Sequence, residues 1–276
     1  MITLLTDFGD RDYYLAAMKG VLLQRAPGAV LVDVSHQVAA GDIAGAGWLL
    51  GAAWRWFPDG TVHLAVVDPG VGSRRRMVAA EVRGHRFVAP DNGLLSWVLR
   101  TAADAAVHAI ERPDLYLDGD PNGDSALTAG RTFAGRDRFA PAAAALADGE
   151  SLPNLGPEVT DPVLLTEPEP VLHGPPGRAG SRLEGSVAHI DHYGNLVTNL
   201  PSEWIGNGAC RTTVGSGQLR HRIEVRAGHY EEIPAGQAAL LPGSLGTLEL
   251  AYNGEPLAPA WGVRRGEPVE VTILAD

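Results

Sequence analysis

Apolar and polar positions along the chain follow two regimes. In the first half, short apolar runs alternate with longer helical patterns. Residues 2–5 form an apolar run that ends at Thr6 and Asp7 and meets a turn at Gly9. Residues 13–25 read as an amphipathic helix closed by Pro27-Gly28, and 29–34 as a strand apolar except for Asp33, the pattern of a strand covered on both faces. A helix over 41–56 with small residues on one side stops at Phe57-Pro58-Asp59-Gly60, and a strand over 62–67 ends at Asp68. Residues 77–82 and 86–88 read as a hairpin around Gly84; Asp91-Asn92-Gly93 opens a helix reaching about Ala106; 139–147 is a small-residue helix. Strands alternating with helices at this spacing predict a mainly parallel sheet with helices on both faces.

Beyond residue 183 the pattern changes. Strand-like segments at 185–190, 196–199, 210–214, 222–225, 238–241, 247–252 and 269–274 are separated by Gly and Pro turns, with no helix between them. This predicts a smaller all-β domain, a barrel or sandwich. The stretch 161–182 is rich in Pro and Gly and lacks periodicity, as linkers do. The expected organisation is therefore an α/β domain over 1–165, a linker over 166–182 and a β domain over 183–276.

Composition narrows the function. The chain has 276 residues, 45% of them hydrophobic, and a net charge of −11. An acidic surface argues against nucleic acid or an anionic membrane as the main partner, since both reward an excess of Lys and Arg. Lys19 is the only lysine, so a catalytic lysine has one candidate position. Cys210, the single cysteine, can form no internal disulfide, which fits a reducing cytoplasm. Without a basic n-region or a long apolar run at the start, neither a signal peptide nor a membrane span is expected, and the expected compartment is the cytoplasm.

The segment AVVDPGVGSRRRM, residues 65–77, carries the densest chemistry. A strand ends in Asp68, a Gly-containing turn follows, and Arg74, Arg75 and Arg76 come directly after. Glycines let backbone approach a ligand closely, and ligands of parallel sheets sit at the carboxyl ends of strands. Asp7 occupies the same kind of position. A strand end followed by a solvated basic patch is the alternative reading. Asp118, Asp120, Asn122 and Gly123 imitate the start of a calcium loop, but Ala129 stands where the bidentate Glu belongs, so a solvated excursion is expected there.

Six segments, LLTDFGDRD, VVDPGVGSRRR, APDNGLLS, TFAGRDRFAPAAA, HIDHYGNLVTN and GSLGTLELAYNG, together resemble the S-adenosyl-L-methionine (SAM) hydroxide adenosyltransferases, relatives of the fluorinating and chlorinating enzymes that use the same substrate. They occur in the family's order and span nearly the whole chain. The resemblance implies SN2 displacement at the ribose C5′ of SAM by water, giving adenosine and L-methionine with no cofactor and no metal. It matches Asp7 to an acid gripping the ribose hydroxyls, and Asp12, Asp191 and Ser244 to the methionine end. It matches Asn195 to the adenine edge and Phe133 to the wall near the ribose. Asp68 and Arg75 match two members of an Asp-Arg-His set that orients water. It also implies a homotrimer with sites at subunit interfaces. From their residue types alone, Asp7 and Asp12 also suit turns or helix caps and Asn195 a turn after Gly194.

The sequence departs from the family twice. The His of the set is replaced by Ala134 in TFAGRD, and Gly41 stands where relatives carry an aromatic. Two alternatives follow. One is a halide-dependent 5′-halo-5′-deoxyadenosine synthase, against which the charge of Asp68 argues. The other is a SAM- or adenosine-binding protein with little or no turnover. His36, His189 and His192 are the histidines nearest the matched motifs, and they fit hydrogen-bonded wall residues better than catalysts.

Overall fold

The computed structural model describes residues 1–117 and 132–275. The calcium-loop-like residues Asp118, Asp120, Asn122, Gly123 and Ala129 lie outside the described residues. The chain forms two compact units, Met1–Leu165 and Thr166–Asp276.

The first unit is built on a six-stranded sheet of order β2-β1-β3-β5-β4-β6. Its strands are β1 (Ile2–Thr6), β2 (Leu31–Ser35), β3 (Val62–Val66), β4 (Met77–Val82), β5 (His85–Pro90) and β6 (Ala106–Ala109). β2, β1, β3 and β5 run parallel, whereas β4 pairs antiparallel with β5 and β6. β1 and β3 are buried throughout. Because side chains alternate across a strand, Ile2, Leu4, Leu64 and Val66 enter one core with Met18 and Leu22 of α1 (Tyr14–Arg25). Leu5, Ala65 and Val67 enter the other core with Ala46 and Leu50 of α2 (Ile43–Ala53).

The small residues on α2 have a packing reason. A Cβ added at Gly51 would lie 2.7 Å from Trp97 Cβ, on α3 (Ser96–Leu99). This last helix departs from the expected run to Ala106. Gly93 adopts φ +97°, the Asp91 and Asn92 side chains hold backbone of other segments, and the chain after Leu99 returns to the sheet edge as β6. A π-helix over Gly135–Phe139 leads into α4 (Ala140–Ala147), which packs on α1.

The second unit is a nine-stranded, barrel-like sheet. It comprises β7 (Val171–His173), β8 (Arg182–Ile190), β9 (Leu196–Pro201), β10 (Cys210–Val214), β11 (His221–Ile223), β12 (Val225–Arg226), β13 (Ala238–Pro242), β14 (Thr247–Tyr252) and β15 (Pro268–Ile273). The segment read as a linker contributes β7, which pairs with β8. The single strand expected over 222–225 is two. β11 pairs with β10 at one edge and β12 with β13 at the other, so the chain at Glu224 joins the two edges of the sheet. Closure of this kind removes exposed strand edges. The barrel is filled by Leu183, Val187, Leu196, Leu240, Leu250 and Val271. The expected barrel-like β domain is what forms, with one short helix, α5 (Leu257–Trp261), added after β14. Leu257 and Ala258 are buried, and Gly262 caps the helix in the left-handed region. No described helix is long and apolar enough to cross a membrane.

Candidate active site

Parallel pairing of β1 with β3 sets Thr6 beside Val66, so the next residues of both strands leave the same end of the sheet. Asp7 Oδ2 accepts the Gly41 N–H at 2.8 Å. Gly41 has φ +73°, and a Cβ there would meet Pro69 Cβ at 3.7 Å, ordinary contact. Space therefore exists for a side chain at 41, but the backbone conformation is one that L-residues rarely adopt. The same contact puts Asp7, Gly41 and the turn after Asp68 side by side.

Asp68 is met by Arg75 in a two-point pair: Arg75 Nε donates to Oδ1 at 2.7 Å and Nη2 donates to Oδ2. The two side chains are only 5% and 13% exposed, and the Arg75 guanidinium lies 5.1 Å from the Phe139 ring. Two parallel charge-assisted bonds fix a planar carboxylate in direction as well as in place. The turn that brings Arg75 back is held by Val71 N–H on the Asp68 carbonyl and by Arg75 N–H on Ser73 Oγ.

The neighbouring arginine serves other carboxylates. Arg76 Nε and Nη1 donate to Asp91 and Asp161, each at 2.7 Å, and these bonds, that to Asp161 first, raise its pKa above the ordinary value. Three consecutive arginines are thus not one basic patch. Arg74 is exposed, and Arg75 and Arg76 each have their own acid.

Phe133 packs edge-on to Phe8, Tyr13 and Tyr14, with centroid separations of 5.9, 6.4 and 5.1 Å, and Arg136 stacks on it. This aromatic cluster includes Phe8, the residue after Asp7 in the chain. Ala134 is buried within the α1–α4 core. Asp12 is exposed in the turn before α1.

In the second unit Asp191 and Asn195 bond each other. Asp191 Oδ1 accepts the N–H groups of Tyr193 and Asn195, and Oδ2 accepts Asn195 Nδ2 at 2.9 Å. The turn role their residue types allow is therefore realised, while the amide oxygen of Asn195 stays outside these bonds. Ser244 is exposed in the turn between β13 and β14. It neighbours Gly243, against whose Cα the buried Glu249 carboxylate packs.

Glu249 and Tyr230 carry no mark in the sequence. Glu249 accepts a 2.7 Å bond from Tyr230, whose pKa is raised by burial first and then by that bond; no local signal marks this pair. Behind Asp7, Thr6 Oγ1 lies 2.8 Å from His36 Nδ1, and His36 Nε2 is 3.1 Å from Asp33, itself bonded to Lys19. Burial works to raise the pKa of Asp33, but the bonds from Lys19 and His36 prevail and lower it. His36 is a buried, bonded residue, and His192 is exposed against Tyr193. Among the described residues no group of three or more His, Cys, Asp or Glu side chains could hold a metal ion.

The models described as the SAM hydroxide adenosyltransferase N-terminal and C-terminal domains match residues 2–156 and 185–270. A Thermus thermophilus protein named (R)-S-adenosyl-L-methionine hydrolase is 39% identical over 271 residues, 97% of each chain. A fluorinase of an Actinoplanes species is more distant, 26% identical over 302 residues, 99% of this chain and 97% of its own. The crystal structure of an uncharacterised conserved protein from Thermotoga maritima matches with a TM-score of 0.86 and 30% identity, covering 99% of this chain and 100% of its own. The chain belongs to the SAM hydroxide adenosyltransferase family, and it is an enzyme of that family.

Proposed function

We propose that this enzyme hydrolyses SAM to adenosine and L-methionine. The oxygen of a water molecule attacks the ribose C5′ in line with the C5′–S bond. That bond breaks with its electron pair going to sulfur, methionine leaves as a neutral thioether, and the attacking water loses one proton. The sulfonium needs no acid to leave, so the protein's task is to position substrate and nucleophile. The observation that carries this reading is the two-point Asp68–Arg75 pair at the end of β3. Arg75 uses one lone-pair direction on each Asp68 oxygen, and an ionised carboxylate has about four. A water can therefore donate to Asp68 without breaking the pair.

In the same reading Asp7 binds the ribose hydroxyls, since its second oxygen is not engaged by Gly41, and Phe133 walls the sugar. Asp12, Asp191 and Ser244 receive the methionine end, and Asn195 reads the adenine edge. The chain works without a cofactor, in the cytoplasm, as a homotrimer whose sites draw residues from neighbouring subunits. Support for hydrolysis over halogenation is the charge of Asp68, which repels a halide, and the higher identity to a relative named hydrolase than to one named fluorinase.

The test is incubation with SAM in ¹⁸O-labelled water, followed by chromatography and mass spectrometry. Adenosine two mass units heavier, with equimolar methionine, is the expected outcome. Halogenated deoxyadenosine formed only with added chloride would select the halide reading. Tight adenosine binding without product, the reading that Ala134 favours, would select a binding protein.

A further inference from the structure

We propose that Asn92 is a positioning residue for the hydrolysis described above: its side-chain amide fixes the direction in which Asp68 presents its carboxylate. The proposal rests on that functional reading and adds a residue to it.

The last β3–β5 register pair is Leu64 with Val88, so Val67 and Asp68 lie beyond the ladder. Val67 is fully buried, and its carbonyl would need a partner. Asn92 supplies it: Nδ2 donates to the Val67 carbonyl at 2.9 Å, while Oδ1 accepts the Leu94 N–H at 3.2 Å. The amide is thus clamped at both ends and replaces the missing rung. The peptide plane between Val67 and Asp68 sets the Cα–Cβ direction of Asp68, and Val71 N–H holds the carbonyl on the other side of that residue at 3.1 Å.

Asn92 is itself anchored. Its neighbour Asp91 donates its N–H to the Arg76 carbonyl at 3.0 Å and accepts Arg76 Nε at 2.7 Å. The Asp91 carboxylate is nearly closed to solvent and also accepts the Val163 N–H. A closed circuit results. It runs from Asp68 through Arg75 and Arg76 to Asp91, then through Asn92 to the Val67 carbonyl and back to Asp68. Every link is a covalent neighbour or a hydrogen bond. Carboxylate and guanidinium are therefore held against each other by one brace on the backbone side and one on the side-chain side. Arg76, committed to Asp91 and Asp161, is kept from competing with Arg75 for Asp68.

The experiment measures adenosine release and adenosine affinity for the full chain and for Asn92→Asp, Asn92→Ala, Asp68→Asn and the Asn92→Ala/Asp68→Asn double variant. Asn92→Asp keeps the size and the acceptor for Leu94 but sets a carboxylate oxygen in place of the donor, against the Val67 carbonyl, so it breaks the rung and serves if Asn92→Ala does not fold. A displacement of the order of 1 Å costs up to about 100-fold. The expected result is a kcat lowered by about 10- to 100-fold, with KM and adenosine affinity within about twofold of wild type. In the Asp68→Asn background the Asn92 substitution should cost nothing further, because residues acting as one unit are non-additive. Wild-type kcat in Asn92→Asp overturns the proposal. So does an equal fold-loss in the Asp68→Asn background, or a loss of affinity that matches the loss of kcat. Absence of any Asp68-dependent adenosine from the wild-type enzyme overturns the functional reading itself, a result separate from these.

Discussion

Removing the Arg75 guanidinium should destabilise the first unit strongly, and removing the charge of Asp68 in that background should repair it. The two side chains are 13% and 5% exposed and share two hydrogen bonds. Breaking a buried pair by deleting one partner leaves a charge without compensation, at a cost of about 3–5 kcal/mol. Arg75→Ala also forfeits the stacking on Phe139. For a unit of this size that corresponds to a melting point lowered by roughly 6–20 °C. Asp68→Asn alone keeps the shape and leaves the more exposed partner charged, so about 1–3 kcal/mol is expected. The double variant Arg75→Ala/Asp68→Asn buries no lone charge and should be more stable than Arg75→Ala by at least about 2 kcal/mol. Urea unfolding followed by circular dichroism measures all four proteins, and adenosine release is measured in parallel. Every variant lacking Asp68 or Arg75 should keep only a small residual turnover, including the repaired one. Additive stability changes, with the double variant the least stable, would refute the reasoning and show that water screens the pair.

Three further outcomes are expected. His63 is fully buried between Thr3 and His85, and burial first, then the charge of His85, lowers its pKa to about 3; its stabilising contribution is therefore whole above the unfolded value of about 6.5 and lost as pH falls toward 3. That is about 2 kcal/mol between pH 6.5 and 5, seen as a falling melting point that His63→Gln flattens. Asp7→Asn should weaken adenosine binding by about 10- to 150-fold, since hydrogen bonds to a charged group are worth roughly 1.5–3 kcal/mol, with the melting point nearly unchanged; calorimetric titration measures it. Ala134→His should raise kcat by up to about 100-fold while costing about 1–3 kcal/mol of stability from overpacking the α1–α4 core, read by steady-state kinetics and thermal unfolding.

What the sequence makes legible follows from range. Strands over 77–82, 210–214 and 247–252 coincide with β4, β10 and β14, because alternation and flanking Gly or Asn are local signals. The acids ending β1 and β3 stand out for the same reason. The helix expected from Asp91-Asn92-Gly93 to about Ala106 is confined to Ser96–Leu99, because distant partners claim the side chains before it, Asp91 holding Val163 and Asn92 holding Val67, and the chain after it returns to the sheet as β6. The split at Glu224 is invisible locally, since each half is strand-like and only the two sheet edges decide the break. Asp191, Asn195 and Ser244 stand out through the family resemblance alone, as their turn-forming residue types say nothing of a ligand. The sorting of Arg75 and Arg76 onto different acids depends on Asp161, 85 residues from Arg76, and no sequence spacing announces that.

A replacement of the family histidine by Ala134, which the sequence resemblance implies, would bear on one half of the proposed reaction only. A sulfonium leaves as a neutral thioether, so no proton is needed on the departing side, and the binding of ribose and adenine makes no use of an imidazole. The attacking water must be aimed and must lose a proton, and aiming depends on how rigidly Asp68 is held. Here that carboxylate is fixed through its side chain by Arg75 and through its backbone by Asn92 and Val71, all groups that remain in the absence of the imidazole. Proton removal by a positioned base contributes about 10²–10⁴-fold, whereas proximity and orientation contribute about 7–11 kcal/mol. In the proposed reaction the larger of the two terms is therefore carried by residues this chain has, and the expected effect of an absent imidazole is a lowered rate, not a lost reaction.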